Sequence, residues 1–100
     1  MKLLTKAIKE RLPKLYETEK VPLGDKVLVC KFFTPDAGWT WYATEYNPDE
    51  KMFFGLTCGH CNEWGYFSLL ELEQLRGKLG LPVERDFSFE PTLFKNLKDA

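Results

Sequence analysis

Cys58, Gly59, His60 and Cys61 set two thiols and the chain's one imidazole within four consecutive residues, so chemistry is sought there first. A Cys-x-x-Cys spacing has two uses. In one, two thiolates grip a zinc ion from a tight turn. In the other, the pair cycles between dithiol and disulfide. Redox cycling calls for a thiol at the start of a helix, whose dipole favours the thiolate. Here Gly65, Tyr66 and Phe67 follow, and the segment reads as strand. A closed zinc site needs four donors, and Cys30 and His60 are the ones left to join Cys58 and Cys61. Zinc therefore depends on Cys30 reaching the turn from inside its own strand, and no other cofactor is implied. The plain alternative is a hairpin turn that happens to carry two thiols.

Charge supplies two further candidates. Residues 1–20 hold six basic and three acidic side chains, whereas residues 34–73 hold seven acidic ones against Lys51 alone. Lys2, Lys6, Lys9, Arg11 and Lys14 could meet a phosphate backbone, and their mixed surroundings also fit a solvated helix face. Glu45, Asp49, Glu50 and Glu63, with Trp64, are read as surface charges and a ring offered by acidic hairpins to a protein partner. Arg85 interrupts an apolar face. It either buries its stem and pairs, or offers a planar fork of donors to a partner. Pro48-Asp49-Glu50-Lys51 packs its charges into one turn, where they cannot surround a metal from separate positions. There is no glycine-rich phosphate loop, no serine–histidine–acid set and no H-E-x-x-H, so an enzyme is the least supported class.

These residues must be positioned by a small set of elements. Leu4, Ile8, Leu12 and Leu15 recur at helical spacing, with Thr5 as cap and Pro13 as limit. Asp25–Phe33, Trp39–Tyr46, Lys51–Thr57 and Glu63–Phe67 read as strands, separated by Pro35-Asp36-Gly38, Asn47-Pro48-Asp49 and the cysteine turn. Trp39, Trp41 and Ala43 should face one way, Thr40, Tyr42 and Thr44 the other. The rings of Trp39, Trp41, Tyr42, Phe54, Trp64 and Tyr66 are expected to pack across strands. Ser68 and Glu71 have capping-box spacing before a stripe of Leu69, Leu72 and Leu75, widened by Leu70, with Gly77 and Gly80 as stops. Leu81–Phe89 alternates like a strand with Leu81, Val83, Phe87 and Phe89 on one face, and Phe94 and Leu97 suggest a terminal turn. Short connections require antiparallel pairing. The expectation is an α+β fold: an antiparallel sheet of four to five strands with two to three helices packed on one face.

One hundred residues suit one domain, 1–100, and aromatic side chains at 15% compensate a small core with large buried rings. No apolar run is long enough to span a bilayer, and Lys6 and Lys9 break the N-terminal stretch, so no membrane is expected. Three cysteines, an odd number, suit a reducing cytoplasm better than a disulfide framework.

Lys31-Phe32-Phe33, Trp39-Thr40-Trp41-Tyr42, Gly65-Tyr66-Phe67-Ser68 and Gly80-Leu81-Pro82-Val83-Glu84-Arg85-Asp86 carry a resemblance that covers nearly the whole chain. It resembles a family of small uncharacterised proteins encoded on bacterial plasmids, integrative elements and phages, often near antirestriction genes. The resemblance implies a setting, not a reaction. The family pattern lacks cysteines at the turn equivalent to 58–61, which weakens the zinc and redox readings here. Together these features favour a non-enzymatic protein-interaction module of a mobile element, acting on host defence or DNA processing. The alternatives are a nucleic-acid-binding accessory using the basic N-terminal helix and a zinc module using the Cys58–Cys61 turn.

Overall fold

In the computed structural model, which describes residues 2–98, the capping signals at the start of the chain act as expected. Thr5 caps a helix of six residues, Lys6–Arg11 (α1), its hydroxyl accepting from the Ile8 amide at 3.3 Å. The helix stops at Leu12, before Pro13, whose ring cannot continue the hydrogen-bond ladder. Leu3, Leu4 and Leu12 are buried beside the helix rather than in it. The chain then runs irregularly to a single 3-10 turn, Leu23–Asp25.

The strand expected at Asp25–Phe33 is two short strands, Val27–Leu28 (β1) and Cys30–Phe33 (β2). Three long strands follow: Thr40–Asn47 (β3), Met52–Cys58 (β4) and Asn62–Ser68 (β5). Ser68 caps a helix of six residues, Leu69–Gln74 (α2), by accepting from the Glu71 amide at 3.2 Å. Glu84–Arg85 (β6), Thr92–Leu93 (β7) and a 3-10 turn at Phe94–Asn96 complete the order. The main sheet has five antiparallel strands in the order β5-β4-β3-β2-β6, and β1 leaves it to pair with β7. This is the expected mostly antiparallel α+β arrangement, with two short helices. No helix among the described residues is long and apolar enough to cross a membrane.

A β-bulge at Thr44 changes which way β3 faces. Ala43 pairs with Gly55 and Glu45 with Phe54, so Thr44 is the extra residue. Its hydroxyl is buried and donates to the Phe54 carbonyl at 3.0 Å. Tyr46 is thereby shifted onto the face of Trp41 and Ala43, where simple alternation would exclude it. At Gly55 a Cβ would collide with the Tyr42 carbonyl, so the close approach beside the bulge requires glycine.

Each face of the sheet carries apolar packing. On one, Leu3, Leu4, Leu12, Leu69, Leu72 and Val83 pack on Phe32, Trp41, Tyr46, Phe53 and Phe67. Phe53 is its centre, with ring centroids 4.7 Å from Tyr46, 5.1 Å from Phe67 and 5.5 Å from Phe32. Its complete burial contributes about 2–3 kcal/mol. On the other face Leu28, Tyr42 and Leu56 are covered by Trp64, Phe89, Phe94 and Leu97.

Two expectations are corrected. Leu81–Phe89 is not one alternating strand. Val83 is buried in the first cluster, Phe87 is exposed and Phe89 packs against Tyr42 in the second. Residues of equal parity reach opposite faces because the chain turns at Asp86, whose Oδ1 accepts from the Ser88 amide at 2.8 Å. Leu70 and Leu75 are also exposed, because α2 ends at Gln74 and buries only Leu69 and Leu72. The loop after it is tied to Asp36, whose Oδ2 accepts from the Leu79 amide at 2.7 Å and the Leu81 amide at 3.4 Å.

Candidate functional site

Pairing between β2 and β3 runs no further than Cys30 with Ala43, so the next part of β3 has a vacant edge. The segment after α1 fills it. The Tyr46 amide donates to the Pro13 carbonyl at 2.9 Å. Glu45, expected as a surface charge, is only 3% exposed and serves as the anchor of this segment. Its carboxylate accepts from the Tyr16 amide at 2.8 Å, from the Thr18 amide at 3.0 Å and from the Thr18 hydroxyl. Tyr16 is held at φ 70°, a backbone region that side chains ordinarily avoid. Lys26 is buried beside it. Its ammonium donates to the Thr18 carbonyl at 2.6 Å and lies 5.9 Å from the Phe54 ring centre.

Between this anchored segment, α1 and the β3–β4 turn lies a groove. Lys2, Lys6, Lys9 and Lys51 line one hollow of about 280 Å³ together with Tyr46 and Glu73. Lys9, Lys14, Tyr16, Tyr46 and Asp49 line an adjoining hollow of about 510 Å³. The two hollows adjoin at Lys9 and Tyr46, and the channel they outline has five lysines against two carboxylates. Burial, and then the charge of Glu73, push the Tyr46 hydroxyl above its ordinary pKa. A third hollow, about 290 Å³, adjoins at Tyr16 and is walled by Tyr66, Phe54 and Leu23 above Lys26 and Glu45.

Of the basic residues singled out from the sequence, Lys2, Lys6, Lys9 and Lys14 line this channel, while Arg11 does not. The acidic set is dispersed. Asp49 and Glu50 sit in the β3–β4 turn, where Asn47 Oδ1 accepts from the Asp49 amide at 2.9 Å. Glu63 and Trp64 lie towards the opposite end of the β4–β5 pair, with the Trp64 ring stacked on Phe54 and edge-on to Phe94 at 5.1 Å. Arg85 faces inward to the N-terminal segment. It donates to the Lys2 carbonyl at 2.6 Å and the Leu3 carbonyl at 2.9 Å, with its guanidinium 4.9 Å from the Phe87 ring.

The cysteine turn closes the β4–β5 hairpin at the pair Cys58–Asn62. Gly59 lies against Trp39, where a Cβ would strike the indole, and His60 meets the same ring edge-on at 5.7 Å. Cys30 pairs with Ala43 on β3, three residues along that strand from the partner of Cys58 and on a strand two removed from β4. That separates them by roughly 10 Å along the strands and roughly 10 Å across them. Among the described residues no three His, Cys, Asp or Glu side chains are gathered as metal ligands. The donors named from sequence therefore do not converge. Burial pushes the Cys30 thiol up to about 12 and raises Cys58. A hydrogen bond to Glu63, and then its charge, raise Cys61. Each shift is away from the thiolate that nucleophilic or redox work requires.

Sequence reasoning set Lys51 aside as a turn charge and passed over Tyr46, Tyr16 and Lys26 as site residues. For Lys51 one signal existed: it is the single basic residue in an acidic stretch of forty positions. No local signal foretold the others, since a bulge and a buried carboxylate bring them together.

Residues 3–96 match a family described as "Protein of unknown function (DUF2958)". No curated protein and no solved structure matches the chain.

Proposed function

The chain belongs to that family of proteins of unknown function, and from this premise we propose that it is a binding module whose lysine channel holds the phosphate backbone of a nucleic acid. One observation carries the reading: Lys2, Lys6, Lys9, Lys14 and Lys51, remote in sequence, line a single channel. Such lysines act as point charges for phosphate and release counterions when they neutralise it. The surrounding chain is acidic overall, with a net charge of -1, so the field that attracts a polyanion is local to this channel.

The test is the salt dependence of binding to labelled oligonucleotides, followed by fluorescence anisotropy. Five phosphate contacts predict a log–log slope of roughly −3.5 for a single strand. A Lys9→Glu, Lys51→Glu double variant should lose most of that slope and keep its fold. No binding at about 20 mM salt, a condition that favours charge contacts, would refute the reading.

A second reading, a protein-interaction module, is favoured by Leu79, which is 80% exposed on a loop fixed by Asp36, with Leu81 and Leu75 exposed nearby. Apolar side chains displayed on an ordered loop are what a protein partner with an apolar groove would take. A stoichiometric partner captured by the native chain, kept by the lysine variant and lost by Leu79→Asp, would favour it. The mobile-element setting implied by the resemblance fits either reading.

A further inference from the structure

Resting on the nucleic-acid reading, we propose that the ligand is single-stranded and that the cleft beside the touching Tyr16 and Tyr66 rings, backed by Phe54, seats one unstacked base. Three observations lead there. First, the cleft adjoins the lysine channel, with Tyr16 lining both. A strand whose phosphates follow the lysines passes the mouth of the cleft. Second, the walls are rings that the core does not use. Tyr16 is 62% exposed and Tyr66 54% exposed, and they meet edge-to-face with centroids 6.5 Å apart. Phe54 forms the wall behind, 5.3 Å from Tyr66. Exposed rings beside a basic track are the stacking platform of single-strand binders, since every base has a π-face. Third, the floor is polar. Lys26 and Glu45 are both buried, at 5% and 3% exposure, and both line the cleft, with Glu19 as a second carboxylate in its lining. The Lys26 ammonium carries three donors, one of which goes to the Thr18 carbonyl. A base edge presents the acceptors and donors such a pair can meet, whereas a phosphate would set a further anion against Glu45 and Glu19.

A duplex does not satisfy this arrangement. A paired base turns its edge to its complement and its faces to its neighbours, and it would have to leave the stack to enter a recess of about 290 Å³. A single strand has already given up most of that stacking.

The experiment compares three labelled ligands of equal length by anisotropy: oligothymidine, an abasic strand of the same charge, and a duplex. Oligothymidine should bind about ten-fold or more tighter than the abasic strand. Tyr66→Ala should bring oligothymidine down to the abasic level and leave abasic binding unchanged. Tyr66→Trp, which restores a stacking face, should recover it. Tyr16→Ala serves as the second variant, and thermal melts of both confirm folded protein. Equal binding of oligothymidine and abasic strand would overturn the base cleft while leaving the lysine channel intact. Tighter binding of the duplex would overturn the single-strand assignment. Absence of binding by all three at low salt would remove the phosphate reading itself, and this inference with it.

Discussion

The two ends of β4 offer opposite lessons. At its C-terminal end, Cys58 and Cys61 make a motif legible in four letters, yet the thiols are held in their protonated form and their third candidate partner, Cys30, lies elsewhere in the sheet. At its N-terminal end, Lys51 belongs to no motif, yet it lines a channel with lysines from the first fourteen residues. Adjacency in sequence makes a pattern easy to see. Convergence in space is what allows groups to act on one ligand, and it depends on the whole fold.

Four measurements would break or sharpen that contrast. The largest effect is expected at Glu45, which anchors the segment beside the channel and lines the base cleft. Glu45→Ala leaves two backbone amides and a hydroxyl without their buried acceptor. Loss of charge-assisted bonds there should destabilise the fold by about 3 kcal/mol in chemical denaturation and weaken oligonucleotide binding as well.

Cys30 separates the buried thiol from the turn thiols. Its folded pKa is raised from 9.0 to about 12, so folding favours the protonated thiol. Its contribution is whole below about pH 9 and is lost as pH rises towards about 12. Denaturation midpoints should therefore fall on the alkaline side, by about 2 kcal/mol at pH 10.5, and Cys30→Val should flatten that slope. An unchanged slope would assign the loss to other groups.

Lys51 occupies φ 52°, where a side chain is strained. Lys51→Gly should raise stability by about 1 kcal/mol while lowering the salt slope of binding by about one. A gain in stability with binding intact would take Lys51 out of the channel's function. The smallest effect is expected at the cysteine turn. Cys58→Ser with Cys61→Ser should change stability by no more than about 0.5 kcal/mol and leave oligonucleotide binding as it was.

Much of the sheet was legible because its causes are local. Alternating aromatics and β-branched residues set β3, β4 and β5, and the hydroxyls of Thr5 and Ser68 cap their helices as their spacing suggests. What escaped was non-local. The bulge at Thr44 turns Tyr46 into one cluster and Glu45 towards the opposite face, an inversion no alternation rule contains. Glu45 read as a surface acid because its three donors lie on Tyr16 and Thr18, nearly thirty positions away. Phe87 and Phe89 read as core on one face because the turn at Asp86 follows from the sheet edge it rounds, not from its neighbours in the chain. The lysines were identified as a basic segment, but their convergence with Lys51 depends on that same anchored stretch after α1.

The pairing of β1 with β7 also bears on how the protein is made. Val27 faces Leu93 and Leu28 faces Thr92, and the second cluster is covered by Phe89, Phe94 and Leu97. A nascent polypeptide can form the β3–β4–β5 meander from neighbouring segments soon after they emerge. The lid over Leu28, Tyr42 and Leu56 must wait for residues 89–97, so these side chains stay wet after the meander's own residues have been made. The interval between formation of the meander and arrival of this lid is when the unfinished sheet is most open to chaperones or to self-association.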